Sequence, residues 1–68
     1  MSGEQVHIYS VGSPYEAELI RHMLSDHDIT AFIVNKQDST YRFGDVEIYV
    51  HRDQVIPAKK LIGEYEAQ

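Results

Sequence analysis

The chain has 68 residues and no cysteine, and its eleven Asp and Glu exceed its six Lys and Arg to give a formal charge of -5. This length supports one hydrophobic core, and the absence of cysteine excludes disulfides and fits a reducing cytoplasm. The negative charge disfavours nucleic acid as a partner, and no apolar run approaches the ~20 residues that cross a bilayer. We therefore expect one cytoplasmic domain over residues 6–66, after a flexible N-terminus over 1–5, with neither a membrane nor a nucleic-acid partner.

The first predicted strand spans Val6–Val11, a segment rich in β-branched and aromatic residues that ends at Gly12. Side chains of a regular strand alternate between the two faces of a sheet. Regular alternation places Val6 and Ile8 together on one face. It places His7 and Tyr9 together on the other.

The first predicted helix begins at Ser13, whose hydroxyl can accept from a first-turn amide, and Pro14 follows where no amide donor is needed. Apolar residues then recur at helical spacing and indicate that one side of the helix packs on a sheet; they are Ala17, Leu19, Ile20, Met23 and Leu24. We expect the helix to end near 26–28, where an Asp with positive φ takes the place that Gly usually fills.

Two further strands follow, separated by a polar loop over residues 36–44. The second strand, Ile29–Asn35, is apolar almost throughout, so the sequence leaves open whether Phe32 and Val34 or Ala31 and Ile33 face the core. The third strand, Val46–His51, alternates cleanly. Its core-facing side chains are Val46, Ile48 and Val50, and its opposite face carries Glu47, Tyr49 and His51.

The last predicted helix has Asp53 as its cap, although Pro57 favours a regular start closer to that proline. Its apolar side consists of Val55, Ala58, Leu61, Ile62 and Tyr65. The order strand, helix, strand, strand, helix predicts an α+β, ferredoxin-like split βαβ fold. We expect a sheet order of 1-3-2 with both helices on one face, which leaves the other face bare.

The residues in this frame resemble one known family. The segments 6–9, 13–20 and 29–33 and the run Gly44–Val50 are similar to the DUF2007 family over about residues 6–63. The resemblance implies a ferredoxin-like fold related to the PII proteins, in small bacterial proteins that carry a signal-transduction label. Asp28 departs from the Gly that the family usually has there, and His51 from a frequent Pro. Because fold similarity does not carry function, the resemblance assigns no ligand residues.

The sequence disfavours three chemical functions, which are metal binding, catalysis and RNA binding. Four His suggest metal binding, but no recognised ligand spacing is present, so we expect no metal and no cofactor. The chain has no cysteine nucleophile and encloses little concave volume, so we expect no enzymatic activity. Aromatic residues on an open sheet also occur in RNA-binding domains, but a basic rim is missing.

The sequence therefore predicts a non-enzymatic interaction or regulatory module, with a second copy or another protein as partner. The predicted interaction face is the bare side of the sheet, where unpaired apolar surface seeks a partner; its residues are His7, Tyr9, Phe32, Glu47, Tyr49 and His51. A second predicted contact is the loop residues Tyr41, Arg42 and Phe43. The alternative is a nucleotide or metabolite sensor with its cleft near that loop.

Overall fold

The structure is a computed structural model, and it describes residues 4–37 and 45–67. Three strands and two helices follow one another in the predicted order. Their bounds are β1 (Gln5–Val11), α1 (Pro14–Ser25), β2 (Ala31–Asn35), β3 (Val46–His51), a short 3-10 helix (Arg52–Gln54) and α2 (Val55–Glu66). The predicted α+β fold of βαββα order is confirmed. No helix in the described ranges is long and apolar enough to cross a membrane.

The three strands form one sheet in the order β1-β3-β2, as predicted. β3 pairs antiparallel with both neighbours, so β1 and β2 run parallel to each other. The buried apolar residues lie between this sheet and the two helices. The largest fully buried ones are Ile20, Leu24, Val46, Ile48 and Val50. The central strand therefore supplies the middle of the core, which its strict alternation predicted.

The start and the end of α1 both follow the predicted chemistry. The Ser13 hydroxyl accepts from the amide of Tyr15 at 3.1 Å. At the other end Asp28 has a positive φ of 63°, and the amide of Ile29 donates to the carbonyl of Leu24 at 2.9 Å. The amide of Asp28 also donates to the carbonyl of Ser25 at 3.0 Å. Together the two bonds form the Schellman motif, in which many helices end.

Replacing Asp28 by Gly is expected to stabilise the chain by about 0.5–1 kcal/mol, because Gly adopts positive φ without the steric cost that a Cβ brings. Nε2 of the Gln54 side chain donates to the Asp28 backbone carbonyl at 3.1 Å. The Asp28→Gly variant retains this bond, because it keeps the backbone carbonyl. Asp28→Ala is the control and should destabilise the chain, since Ala keeps the Cβ at this φ. Urea denaturation measures both, and a Gly variant no more stable than the Ala variant would contradict the expectation.

The start of α2 differs from the prediction, because Asp53 does not cap it. Asp53 lies inside the 3-10 helix, and Nδ1 of His51 accepts from the amide of Asp53 at 3.2 Å. Gln54 occupies the cap position of α2, and its side chain makes no hydrogen bond to the first turn of that helix. Pro57 is the third residue of the helix, where an amide has no intrahelical partner, so the proline costs no bond. A His cap is not a common sequence signal, which explains the wrong assignment.

Candidate functional site

The side of the sheet away from the helices carries a mixed set of aromatic, aliphatic and polar side chains. Strand pairing assigns them, because residues directly opposite each other share a face. We call this surface the open face; it consists of Gln5, His7, Ser10, Phe32, Val34, Glu47, Tyr49 and His51. The question left open for β2 is thereby answered. Ala31 and Ile33 pair with the core residues Val50 and Ile48, so Phe32 and Val34 point outward.

A row of three rings crosses the middle of the open face. Tyr49 on the central strand stands opposite His7 on β1 and opposite Phe32 on β2. The His7 and Tyr49 ring centroids are 5.5 Å apart with an interplanar angle of 64°, an edge-to-face contact. Phe32 keeps 41% of its surface exposed. This row places rigid ring surface at the centre of the sheet.

Beside the ring row lies a polar cluster on β3 and at the end of β2. The Tyr49 hydroxyl donates to the Glu47 carboxylate at 2.7 Å, and Nζ of Lys36 lies 3.5 Å from the same carboxylate oxygen. The hydrogen bond from Tyr49, helped by the Lys36 charge, lowers the pKa of Glu47. The same bond raises the pKa of Tyr49. Glu47 is therefore held ionised and Tyr49 neutral, which fixes the Tyr49 ring on the face.

The β1 end of the open face carries a histidine and a serine in contact. Nε2 of His7 lies 2.7 Å from the Ser10 hydroxyl. The sequence does not predict Ser10 on the face, because regular alternation from His7 would turn residue 10 toward the helices. The bond orients the imidazole against Tyr49.

Tyr9 does not lie on the open face, and its predicted position beside His7 is wrong. A β-bulge between His7 and Tyr9 shifts the register, so that Tyr9 pairs with the core residue Ile48. The extra residue, Ile8, packs against the core as Tyr9 does. An extra residue in one strand reverses the face of every residue beyond it. Tyr9 therefore points to the helix layer, where its hydroxyl donates to the Glu66 carboxylate of α2.

Ionisation of Tyr9 is expected to occur late in an alkaline titration. Its hydrogen bond to Glu66, with burial and the Glu66 charge, raises the pKa of Tyr9 to about 12. A tyrosine in an unfolded chain has a pKa of about 10. The folded state therefore holds the proton more tightly. The stability contributed by this bond is complete below pH ~10 and is lost as the pH rises through ~12.

NMR of the tyrosine ring resonances during titration measures the pKa of Tyr9. Glu66→Gln should bring that pKa toward the ordinary value, whereas Glu64→Gln, on the same helix, should leave it unchanged. A wild-type Tyr9 that ionises near pH ~10, the ordinary value for a tyrosine, would contradict the assignment.

The comparison with protein families gives a single result that spans these elements. A family model described as "DUF2007: Putative prokaryotic signal transducing protein" matches residues 6–66. The chain belongs to the DUF2007 family. The match runs from the second residue of β1 to the last residue of α2, which confirms the resemblance seen in the sequence. Neither the curated proteins nor the solved structures gave a match to this DUF2007 chain.

The remaining predicted contact of this DUF2007 protein lies outside the described residues. Tyr41, Arg42 and Phe43 belong to the segment 38–44, so the loop contact stays a prediction. Within the described ranges, no group of three or more His, Asp or Glu is placed to hold a metal ion.

Charge is distributed unevenly over the DUF2007 chain. Among the Asp and Glu of residues 4–37 and 45–67, the open face contains Glu47 alone, and Lys36 lies beside that carboxylate. The helices and turns carry most of the others. Two histidines, His7 and His51, also belong to the face. The open face is therefore close to neutral in a chain of net charge -5.

A groove lies on the helix side, between the end of α1 and the outer side of α2. It encloses about 440 Å³. Ile29, Pro57 and Leu61 form apolar walls, and the polar part of the lining carries both signs of charge, with Lys60 beside Asp28 and Glu64. This groove is not the ligand cleft that the sequence predicts near the 36–44 loop. Its walls come from two segments distant in the chain, which no local motif reveals.

Proposed function

We propose that this protein is a non-enzymatic module of a signalling system and that its open face binds another protein. The supporting observation is the ring row His7, Tyr49 and Phe32, whose outer rings His7 and Phe32 are exposed on a face where the Glu47 carboxylate is paired with Lys36. Centres of protein interfaces are depleted in charge and enriched in aromatic side chains, and such side chains supply most of the binding energy.

The composition of the face also indicates what kind of partner fits it. The face is the open surface of a sheet, so it suits a broad protein surface better than an enclosed small ligand. Phe32 and Val34, each 41% exposed, offer apolar contact along β2. Lys36 is engaged with Glu47, so the face presents little free positive charge for a phosphate backbone. The expected partner is a protein with an apolar patch rimmed by hydrogen-bonding groups.

Affinity capture from the native cell, followed by binding measurements with the purified captured protein, tests this function. Phe32→Lys is expected to weaken binding by about tenfold or more, because it puts a charge at the centre of the contact. Leu19→Lys is the matched control, since Leu19 is 45% exposed on α1 and lies on the other side of the molecule. Equal binding by wild type and Phe32→Lys, or loss of binding in Leu19→Lys alone, would contradict the proposal.

A second candidate function is that of a small-molecule sensor, which the groove beside α2 favours. A volume of about 440 Å³ is within the range of ligand sites, and the Lys60 ammonium has no carboxylate within 4.0 Å among the described residues. Because the Lys60 ammonium shares the lining with the Asp28 and Glu64 carboxylates, a metabolite that carries both positive and negative groups is the matching class. A ligand that binds the folded state raises the melting temperature. Lys60→Glu should abolish that rise, and a screen without any shift counts against this candidate.

A further inference from the structure

The outer edge of β1 has no strand beside it within residues 4–37 and 45–67. The amide of Arg52 donates to the carbonyl of Glu4 at 3.1 Å, so the backbone of Glu4 faces β3. Backbone groups alternate in direction along an antiparallel strand. Those of Gln5 and His7 therefore point outward, away from β3.

Beyond the bulge, the backbone of β1 also has groups that point away from β3. The amide of Lys36 donates to the carbonyl of Asp45 at 3.0 Å, so Asp45, and by alternation Glu47, faces β2. Ser10 lies opposite Glu47 on the other side of β3. The backbone of Ser10 therefore also points outward from β1. The edge presents unpaired donors and acceptors on both sides of the bulge.

This edge lacks most of the features that keep strand edges from pairing. Such edges usually carry Lys or other charges, or Pro, or are short. β1 has seven residues and contains no Pro, Lys, Arg, Asp or Glu. It does have a bulge, which strengthens the local twist. In a chain of charge -5, an uncharged edge is where two copies meet with the least repulsion.

α2 brings an exposed apolar residue to the same side of the molecule. Its Glu66 contacts Tyr9 of β1, whereas Leu61 and Lys60 line the groove toward α1. The side of α2 directed to the β1 edge is therefore the stripe at i, i+3, i+7 and i+10; it consists of Ile56, Lys59, Gly63 and Glu66. Ile56 is 83% exposed, more than any other large hydrophobic side chain in the described ranges.

Gly63 adds to this pattern. It lies inside α2, where Gly costs about 1 kcal/mol relative to Ala. A Cβ built there would meet nothing within 4 Å, so the fold of one copy does not explain the missing side chain. A glycine leaves room for a neighbouring helix to approach closely.

From these features we infer that β1 pairs antiparallel with β1 of a second copy, so that two three-stranded sheets join into one of six strands. Two-fold symmetry makes this contact self-complementary, because an antiparallel strand meets itself with the same groups on both sides. The α2 helices then lie side by side, with Ile56 and Gly63 between them. Main-chain hydrogen bonds supply much of the attraction, as in other strand additions.

The size of the contact sets the expected affinity. β1 is about 23 Å long at ~3.3 Å per residue, and the molecule is 15 Å thick. The footprint is roughly 350 Å² per copy, smaller than the ~800 Å² of a standard interface. We therefore expect a weak dimer whose population grows with concentration over the micromolar to millimolar range.

Sedimentation equilibrium of the full chain over that concentration range tests the inference. Ser10→Pro removes an outward amide and no bond between β1 and β3, and Ser10→Ala removes the same hydroxyl but keeps the amide. The Pro variant should remain monomeric, while the Ala variant associates like wild type. Ile56→Glu should weaken association about tenfold or more. Leu19→Glu, with the same charge change on α1, should leave it unchanged.

Because Ile56 is almost fully exposed, its variant folds even if Ser10→Pro does not, and it then decides the test. A wild-type chain that stays monomeric at millimolar concentration would overturn the inference. So would association that survives both Ser10→Pro and Ile56→Glu but is lost in Phe32→Lys, since that result places the contact on the open face.

One consequence rests on the proposed function. Joining two sheets at β1 makes the two open faces continuous and doubles the area offered to a partner. The dimer is tested independently of that function, because sedimentation equilibrium uses the purified chain alone. Failure of the dimer with intact partner binding would leave the proposed function in place.

Discussion

Ile48→Ala is expected to unfold a large fraction of the protein at room temperature. Ile48 is fully buried at the middle of the central strand and stands opposite Tyr9 on one side and Ile33 on the other. Removing its outer carbons loses burial and leaves a cavity, which costs about 2–5 kcal/mol. A core of this size supplies only roughly 3–5 kcal/mol in total. The substitution therefore consumes most of the stability.

Urea denaturation followed by circular dichroism measures the loss. Val34→Ala is the matched control, because Val34 lies on the neighbouring strand with 41% of its surface exposed and should change the free energy of unfolding by well under ~1 kcal/mol. A loss of less than about 1 kcal/mol in Ile48→Ala would mean that the sheet does not pack on the helices at this residue.

Ala58→Leu is expected to produce the second largest loss, by overpacking. Ala17 on α1 and Ala58 on α2 are the fully enclosed small residues of the helix layer, both with no exposed surface. Additional methyl and methylene groups at position 58 push α2 away from the sheet, which costs about 1–3 kcal/mol. Thermal denaturation checks the change against Glu64→Leu, an exposed position on the same helix. Equal melting temperatures for the two variants would contradict the packing described for α2.

The sequence predicted best where one periodicity applies without interruption. β3 alternates between aliphatic and polar residues, so the positions of Glu47, Tyr49 and His51 on the face away from the helices could be predicted in advance and are confirmed. β2 gave no such basis, since apolar residues occupy both of its faces. Only the pairing with β3 distinguishes Phe32 from Ile33.

The error at Tyr9 has a physical origin that a single regular pattern does not reveal. The apolar residues of β1 fall on positions 6 and 8 and then on Val11, which changes phase between even and odd numbers. Such a change of phase is what a bulge produces. With the bulge included, Ser10 joins His7 on the open face and Tyr9 leaves it. The candidate site thus depends on one inserted residue, Ile8.

The groove and the strand edge could not be predicted from local sequence patterns, for a different reason. Both arise where segments distant in the chain come together, as Ile29 and Leu61 do in the groove. Composition and periodicity describe single elements and not the spaces between them. The cap at His51 was missed because imidazole is an uncommon cap, whereas Ser13 and Asp28 follow frequent rules.

NMR titration of the isotope-labelled chain with its captured protein partner tests the role of the open face most directly. The largest changes in amide chemical shift are expected on β2 and β3, at Phe32, Val34 and Tyr49, with little change on α1. Chemical-shift changes centred on the groove, at Ile29 and Leu61, would contradict the proposed binding surface. They would show that the partner binds on the helix side.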